Sequence, residues 1–160
     1  SRIRQSAPKT WAYLERHADA LDRRASSIYR NRPRFAMFGI GEYTFAPWKV
    51  AISGLHKKLA FAVVGPQAGK PVVLDDTCAF LPCGSADEAE FVRELLGAQD
   101  TQAFYSSQVF WDAKRPITTE ILNQLDLHRL TASEGLLGSR FGSQTLRDQT
   151  AQKCLFATHY

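Results

Sequence analysis

Apolar residues recur at Trp11, Leu14, Ala18 and Leu21, steps of three and four that predict an amphipathic helix over 7–25. Pro8 falls near its start, where a missing N–H is harmless. The polar side of this helix carries Lys9, Arg16 and Arg23, and Ser26, Ser27 and the basic run Arg30, Asn31, Arg32, Pro33, Arg34 read as its end and a loop. From Phe35 the texture changes to short apolar runs divided by Gly and Pro, predicting strands near 35–38, 48–53, 60–64, 71–75 and 77–81. Ala60 to Val64 and Pro71 to Leu74 flank Gly65-Pro66-Gln67-Ala68-Gly69-Lys70, a loop suited to joining adjacent antiparallel strands. Ser85 followed by Glu88 fits a capping box, and Ala89, Val92, Leu95 and Leu96 then repeat with helical period, predicting a helix over 86–96. Further helices are expected at 99–107 and at 117–125, the last entered through Pro116 and Thr118.

This order predicts an α+β domain: an N-terminal amphipathic helix, a central, mainly antiparallel twisted sheet, and C-terminal helices. The expected domain covers 1–131, divided into a basic helix and loop (1–34), the sheet (35–82) and a helical part (83–131). Residues 132–160, rich in Gly, Ser, Thr and Gln, read as a tail or linker.

Composition narrows the class. A chain of 160 residues with 44% hydrophobic content suits one sizeable core rather than two independent ones. No run approaches the roughly 18 apolar residues of a membrane helix, and no signal-peptide core follows the basic N-terminus, so the chain reads as cytoplasmic, with no membrane partner. Cys78, Cys83 and Cys154 are odd in number without a CxxC pair and suggest neither a disulfide framework nor a zinc site. His17, His56, His128 and His159 are too scattered for metal spacing.

Charge is unevenly spread. Residues 1–35 hold nine Lys and Arg against three acids, and 36–70 hold four Lys against Glu42, whereas 71–104 hold seven acids against Arg93. The separation suits a cationic face for phosphates, although solubility alone also accounts for such a pattern.

Several chemistries fit poorly. Phe38-Gly39-Ile40-Gly41 lacks the third glycine of a dinucleotide loop and reads as a bulge or turn. No Ser is framed as a nucleophile elbow, and no Cys sits in a catalytic signature. Asp75 or Asp76 with Asp112-Ala113-Lys114 resembles the carboxylate and acidic-x-Lys elements of a metal-dependent nuclease, so Asp76, Asp112 and Lys114 stand as an alternative, on a degenerate pattern. Basic residues interleaved with aromatics favour nucleic acid: Tyr29 to Arg34, Tyr43 with Trp48 and Lys49, His56 to Lys58, and Trp111 to Arg115. Trp48 and Trp111 fit either base stacking or the core.

Four pieces carry a family resemblance. They are Trp11-Ala12-Tyr13-Leu14 with Arg24-Ala25-Ser26-Ser27-Ile28-Tyr29; Phe38-Gly39-Ile40-Gly41-Glu42-Tyr43-Thr44-Phe45-Ala46-Pro47-Trp48-Lys49-Val50; Leu74-Asp75-Asp76-Thr77-Cys78; and Phe110-Trp111-Asp112-Ala113-Lys114-Arg115-Pro116-Ile117-Thr118. In this order the run from Trp11 to Leu130 resembles the C-terminal target-recognition region of adenine-specific DNA methyltransferases, of the Taq-like and fused restriction–modification type. Trp48 stands where Tyr is expected and keeps the aromatic character. The resemblance implies that a separate domain of the parent chain binds S-adenosylmethionine and holds the flipped adenine through an Asn/Asp-Pro-Pro-aromatic motif. This sequence has no Pro-Pro pair, and its one Gly-x-Gly is poorly placed for the cofactor, so the fragment is expected to need no cofactor and to be catalytically silent. Its lack of an initiator methionine fits a piece of a larger protein, and the resemblance leaves open a parent fused to a restriction nuclease.

The expected partners are double-stranded DNA and the catalytic methyltransferase domain of the same parent chain. From charge and loop placement, Arg23, Arg30, Arg32 and Arg34 are expected on phosphates, and Lys49, Lys57, Lys58, Lys114 and Arg115 near bases. Asp75 and Asp76 are expected to orient loops, through Lys49 or Arg115. A protein-interaction module is a further alternative, since such a domain also keeps a surface for its catalytic partner.

Overall fold

The computed structural model describes residues 2–29, 31–37, 39–126 and 156. They divide into two units, Ser1–Gly39 and Ile40–Tyr160.

In the first unit the expected single helix is three short ones, α1 (Arg2–Ser6), α2 (Pro8–Arg16) and α3 (Ala18–Asp22). The first break is the work of Pro8, which disfavours helical backbone at the residue before it; Ala7 sits at φ −142°, ψ 66°. The second is at His17, which leaves helical geometry at φ −102°, ψ 16° while its N–H still reaches Tyr13 O at 3.2 Å. Ala18 is the buried apolar residue of these helices, and Trp11 packs edge-on against Phe35 at 5.5 Å.

The strand expected at 35–38 does not form over the described residues 35–37. Phe35 adopts φ 66°, a left-handed conformation that costs a non-glycine residue about 1–3 kcal/mol, and Ala36 N–H closes a turn onto Pro33 O at 3.0 Å. Arg24 holds that turn: its Nε donates to Leu21 O at 2.7 Å, its Nη1 to Ala36 O at 2.9 Å, and its guanidinium lies 3.8 Å from the Tyr29 ring centroid.

The second unit is built on a three-stranded antiparallel sheet, consistent with the expected α+β class. Central β1 (Trp48–Ser53) pairs with β2 (Ala62–Val64) on one side and β3 (Cys78–Cys83) on the other. The segment 71–75 is not a strand. Ala68 (φ 48°) and Gly69 (φ 74°) make a tight tip bridged by Gln67 and Lys70, but Pro71 then brings no N–H to a ladder, and the chain passes on to β3.

Both faces of β1 are covered. On one, Val50 lies opposite Val63 and Leu81, and Ile52 opposite Ala79, packed with Ala89, Leu96 and Tyr105 of α4 (Ala86–Gly97) and α5 (Gln99–Gln108). On the other, Ala51 lies opposite Phe80, and the 3₁₀ turn Glu42–Phe45 covers them, with Tyr43 6.0 Å from the Phe80 ring and Thr44 buried.

Half of the expected capping box forms at α4: Ser85 Oγ accepts from Glu88 N at 3.1 Å, while Glu88 Oε2 accepts from Gly84 N at 2.6 Å, one residue before the N-cap. Such a cap is worth about 1 kcal/mol. The helix expected at 117–125 is the single turn α6 (Thr119–Leu122), begun by Thr118 Oγ1 accepting from Ile121 N. It stops at Asn123, whose amide instead bonds Phe156, accepting from its N–H at 2.7 Å. Phe156 is the described residue of the expected tail, and it is buried in the core beside Phe61. No helix among the described residues is long and apolar enough to cross a membrane.

Candidate nucleic-acid interface

The sheet ends where β1 finishes and β3 begins, and three segments meet there. Gly54 N–H extends the ladder to Thr77 O at 2.8 Å, and a Cβ on Gly54 would lie 3.0 Å from Ile117 O and 3.3 Å from Thr77 O. A side chain at position 54 would crowd both backbone segments, so glycine allows their close approach.

The turn entering β3 is locked by Asp75, whose Oδ1 accepts from Thr77 N at 2.9 Å and from Thr77 Oγ1 at 2.5 Å. The next residue, Asp76, reaches across 39 positions: its Oδ2 accepts from Arg115 Nη2 at 3.4 Å and Nη1 at 3.5 Å. Asp75 thus locks its own turn, and Asp76 meets Arg115, one of the two partners expected for it.

From this base the exposed β1–β2 connection projects Leu55, His56, Lys57 and Lys58, and the segment before Ile117 projects Lys114 and Arg115. Four of the five cations expected near bases thus share one end of the sheet. Leu55 and Phe110 add exposed apolar surface in the same two segments.

Lys49 is a correction. It lies on the covered face of β1 with 1% of its surface exposed, its Nζ donating to Ala46 O at 2.7 Å and standing 5.8 Å from the Phe80 ring centroid. Burial holds its ammonium below the ordinary lysine pKa. Charge and loop placement put Lys49 near bases, but the Glu42–Phe45 turn occupies its side of the strand. Lys49 fastens this turn to the sheet and is not available to a ligand. Trp48 and Trp111 are both half-buried and packed against the core. Trp48 lies at the opposite sheet end, where a Cβ on Gly65 would run into its ring.

In the first unit, Arg23, Arg32 and Arg34 are exposed, and Arg30 lies outside the described residues. Arg23 Nε donates to Asp19 O at 3.1 Å. Arg34 makes a two-pronged contact with Asp22, 2.7 Å at its closest, which lowers the Asp22 pKa and raises that of the guanidinium. Both members of this ion pair lie within the first unit, so the Arg34 charge is offset internally. Arg24, given no role from sequence, is the clamp of the unit. The proximity of an arginine to a helix end, where carbonyls lack partners, was the available signal.

The nuclease alternative finds little support in the geometry. Asp76 is engaged with Arg115, and among the described residues no group of three His, Cys, Asp or Glu side chains is placed to share a metal ion.

What fold and face define is an α+β domain presenting a cationic, partly apolar end of a sheet. Over 128 residues the chain is 52% identical to the Type II methyltransferase M.NspV of Nostoc sp., and this alignment covers 80% of the chain but 27% of that relative. The chain is thus similar to part of a Type II methyltransferase and spans about a quarter of the length of the curated relative it matches. No protein-family model and no solved structure matches it.

Proposed function

We propose that this chain is the sequence-specific, double-stranded DNA recognition domain of an adenine-specific, S-adenosylmethionine-dependent DNA methyltransferase, whose catalytic domain lies elsewhere in the parent protein. The observation that carries the reading is the gathering of Lys57, Lys58, Lys114 and Arg115, from chain segments more than fifty residues apart, at one end of a rigid sheet. Similarity to part of a Type II methyltransferase supplies the class of parent.

The domain carries no methyl-transfer chemistry itself. Cofactor binding and the extrusion of the target adenine belong to the partner domain of the same chain. Phosphate contacts set position and groove contacts set sequence. In the second unit the lysines, expected near bases from loop placement, suit phosphates better as point charges on flexible stems; in the first, Arg23 and Arg32 take phosphates, while Arg34 contributes less because Asp22 offsets it.

The test is binding to a pool of random duplex DNA at two salt concentrations with magnesium present, the products being run on a gel. Enrichment of a short motif, with affinity falling steeply as salt rises, is the expected result. Cleaved DNA would replace this reading with the nuclease. Intact DNA that is not bound at low salt would sink recognition by the chain on its own and leave a module that docks to a protein partner.

A further inference from the structure

Four cations share the face, and they are not equivalent. Lys57, Lys58 and Lys114 sit on exposed turns, and a lysine ammonium is a point charge on a flexible stem, suited to phosphate at any angle. Arg115 differs. Among the described residues it is the cation of this face with a carboxylate partner, and both members of the pair rise from anchored backbone. Asp76 follows the residue that locks the Asp75–Thr77 turn, and Arg115 precedes the buried Pro116 and Ile117, whose carbonyl abuts Gly54.

The contact contributes little to stability. Its distances of 3.4 and 3.5 Å are long, and the two side chains are 39% and 48% exposed. A carboxylate on a phosphate-binding face also weakens non-specific attraction. Its useful effect is on direction: the end-on contact turns the planar guanidinium, whose five N–H donors have fixed geometry, toward one orientation.

Resting on the recognition reading above, we propose that Asp76 and Arg115 form the specificity pair of the domain. Arg115 presents its guanidinium to the major-groove edge of a guanine, whose O6 and N7 accept two parallel hydrogen bonds, and Asp76 positions it there. The recognised sequence therefore contains a guanine whose identity depends on both residues. Bidentate contacts of this kind discriminate between bases by about tenfold to a hundredfold.

The experiment takes the motif enriched by the full chain and measures Kd for that duplex and for each single base-pair replacement, using wild type, Arg115→Lys, Asp76→Asn and Lys57→Ala. Arg115→Lys keeps the charge and loses the fork, so it is expected to abolish the preference at one G·C pair. Asp76→Asn is expected to reduce the preference at that same pair by at least about fivefold. Its affinity for unrelated duplex should hold or rise, because a negative charge is gone. Lys57→Ala should weaken all duplexes alike.

A purely structural role for Asp76 would lower affinity across all sequences and shift the melting curve, not the preference at one pair. Preference left intact in either Arg115→Lys or Asp76→Asn overturns the pair, as does loss at two different positions. Loss confined to a cytosine contact in Asp76→Asn would make Asp76 a direct acceptor from the cytosine amine and also overturns it. If wild type enriches no motif, the recognition reading falls and the pair falls with it; if a motif is enriched and these variants read it unchanged, the pair falls alone.

Discussion

The first unit and the end of the sheet are both rich in cations, yet they spend them differently. In the first, Arg24 binds two carbonyls and stacks on Tyr29, and Arg34 is paired with Asp22. At the sheet end, Lys57, Lys58 and Lys114 project from turns whose backbone is fixed by a buried core. A count of charges along the chain ranks the N-terminal segment as the more basic region. Structure shows that part of this charge closes the segment on itself, because three short helices with little buried apolar surface need other fastenings.

If that contrast is right, core substitutions separate the two units most sharply. Leu96→Ala, at a fully buried position, should cost about 2–5 kcal/mol in urea unfolding. Leu14→Ala, at a half-buried position of the first unit, should cost much less. Equal losses would mean that the first unit depends on its apolar contacts as heavily as the second.

Next in size is the response of DNA affinity. Replacing Lys57, Lys58 and Lys114 together by Ala should reduce the slope of log affinity against log salt by about 2.7, at roughly 0.9 per phosphate contact. An unchanged slope would remove the sheet end from the interface. Smaller again is the contrast within the first unit, where Arg32→Ala should lower the slope by about 0.9 and Arg34→Ala by less, since Asp22 already offsets that charge. The reverse order would show that the Arg34–Asp22 pair opens on binding.

Much of the fold was legible because several signals agreed at the same residues. Ser85 and Glu88 announced α4, and the apolar runs at 48–53 and 77–81 fell on β1 and, with a shift of one to two residues, on β3. The failures share a cause. Residues 71–75 and 35–38 have strand-like composition, but a tight tip followed by Pro71 and the left-handed Phe35 redirect the backbone, and neither event is visible in hydrophobic pattern. Tertiary contact also decided what composition could not. Phe156 lies in a short apolar group within a segment otherwise rich in Gly, Ser, Thr and Gln, and is buried through Asn123 and Phe61, neither of them near it in sequence. At the candidate face, the loop lysines and Arg115 were readable as cations near turns, whereas the meeting of their chain segments around Gly54 required the sheet register and the return of the chain at Ile117.

Lys49 gives the smallest and most particular test of the same contrast, since it and Lys57 are eight residues apart and have opposite surroundings. Burial lowers the Lys49 pKa from its ordinary 10.5, so the folded protein releases this proton at a pH where the unfolded chain still holds it. Stability linked to Lys49 is therefore fully present above 10.5 and is lost as pH falls through the folded value. Tyr105 acts in the opposite sense, its phenol being raised above 10.0 by burial, so that its contribution is lost as pH rises beyond that point. Comparing wild type with Lys49→Met cancels the Tyr105 effect, which both share. Methionine fills similar volume without a charge, so the variant should be near neutral or more stable at pH 7. As pH is raised toward 10.5, urea unfolding should show wild type gaining on the variant. A difference that stays flat with pH would mean that water reaches the ammonium, and then the Glu42–Phe45 turn would not be the lid that keeps Lys49 from the surface while Lys57 remains on it.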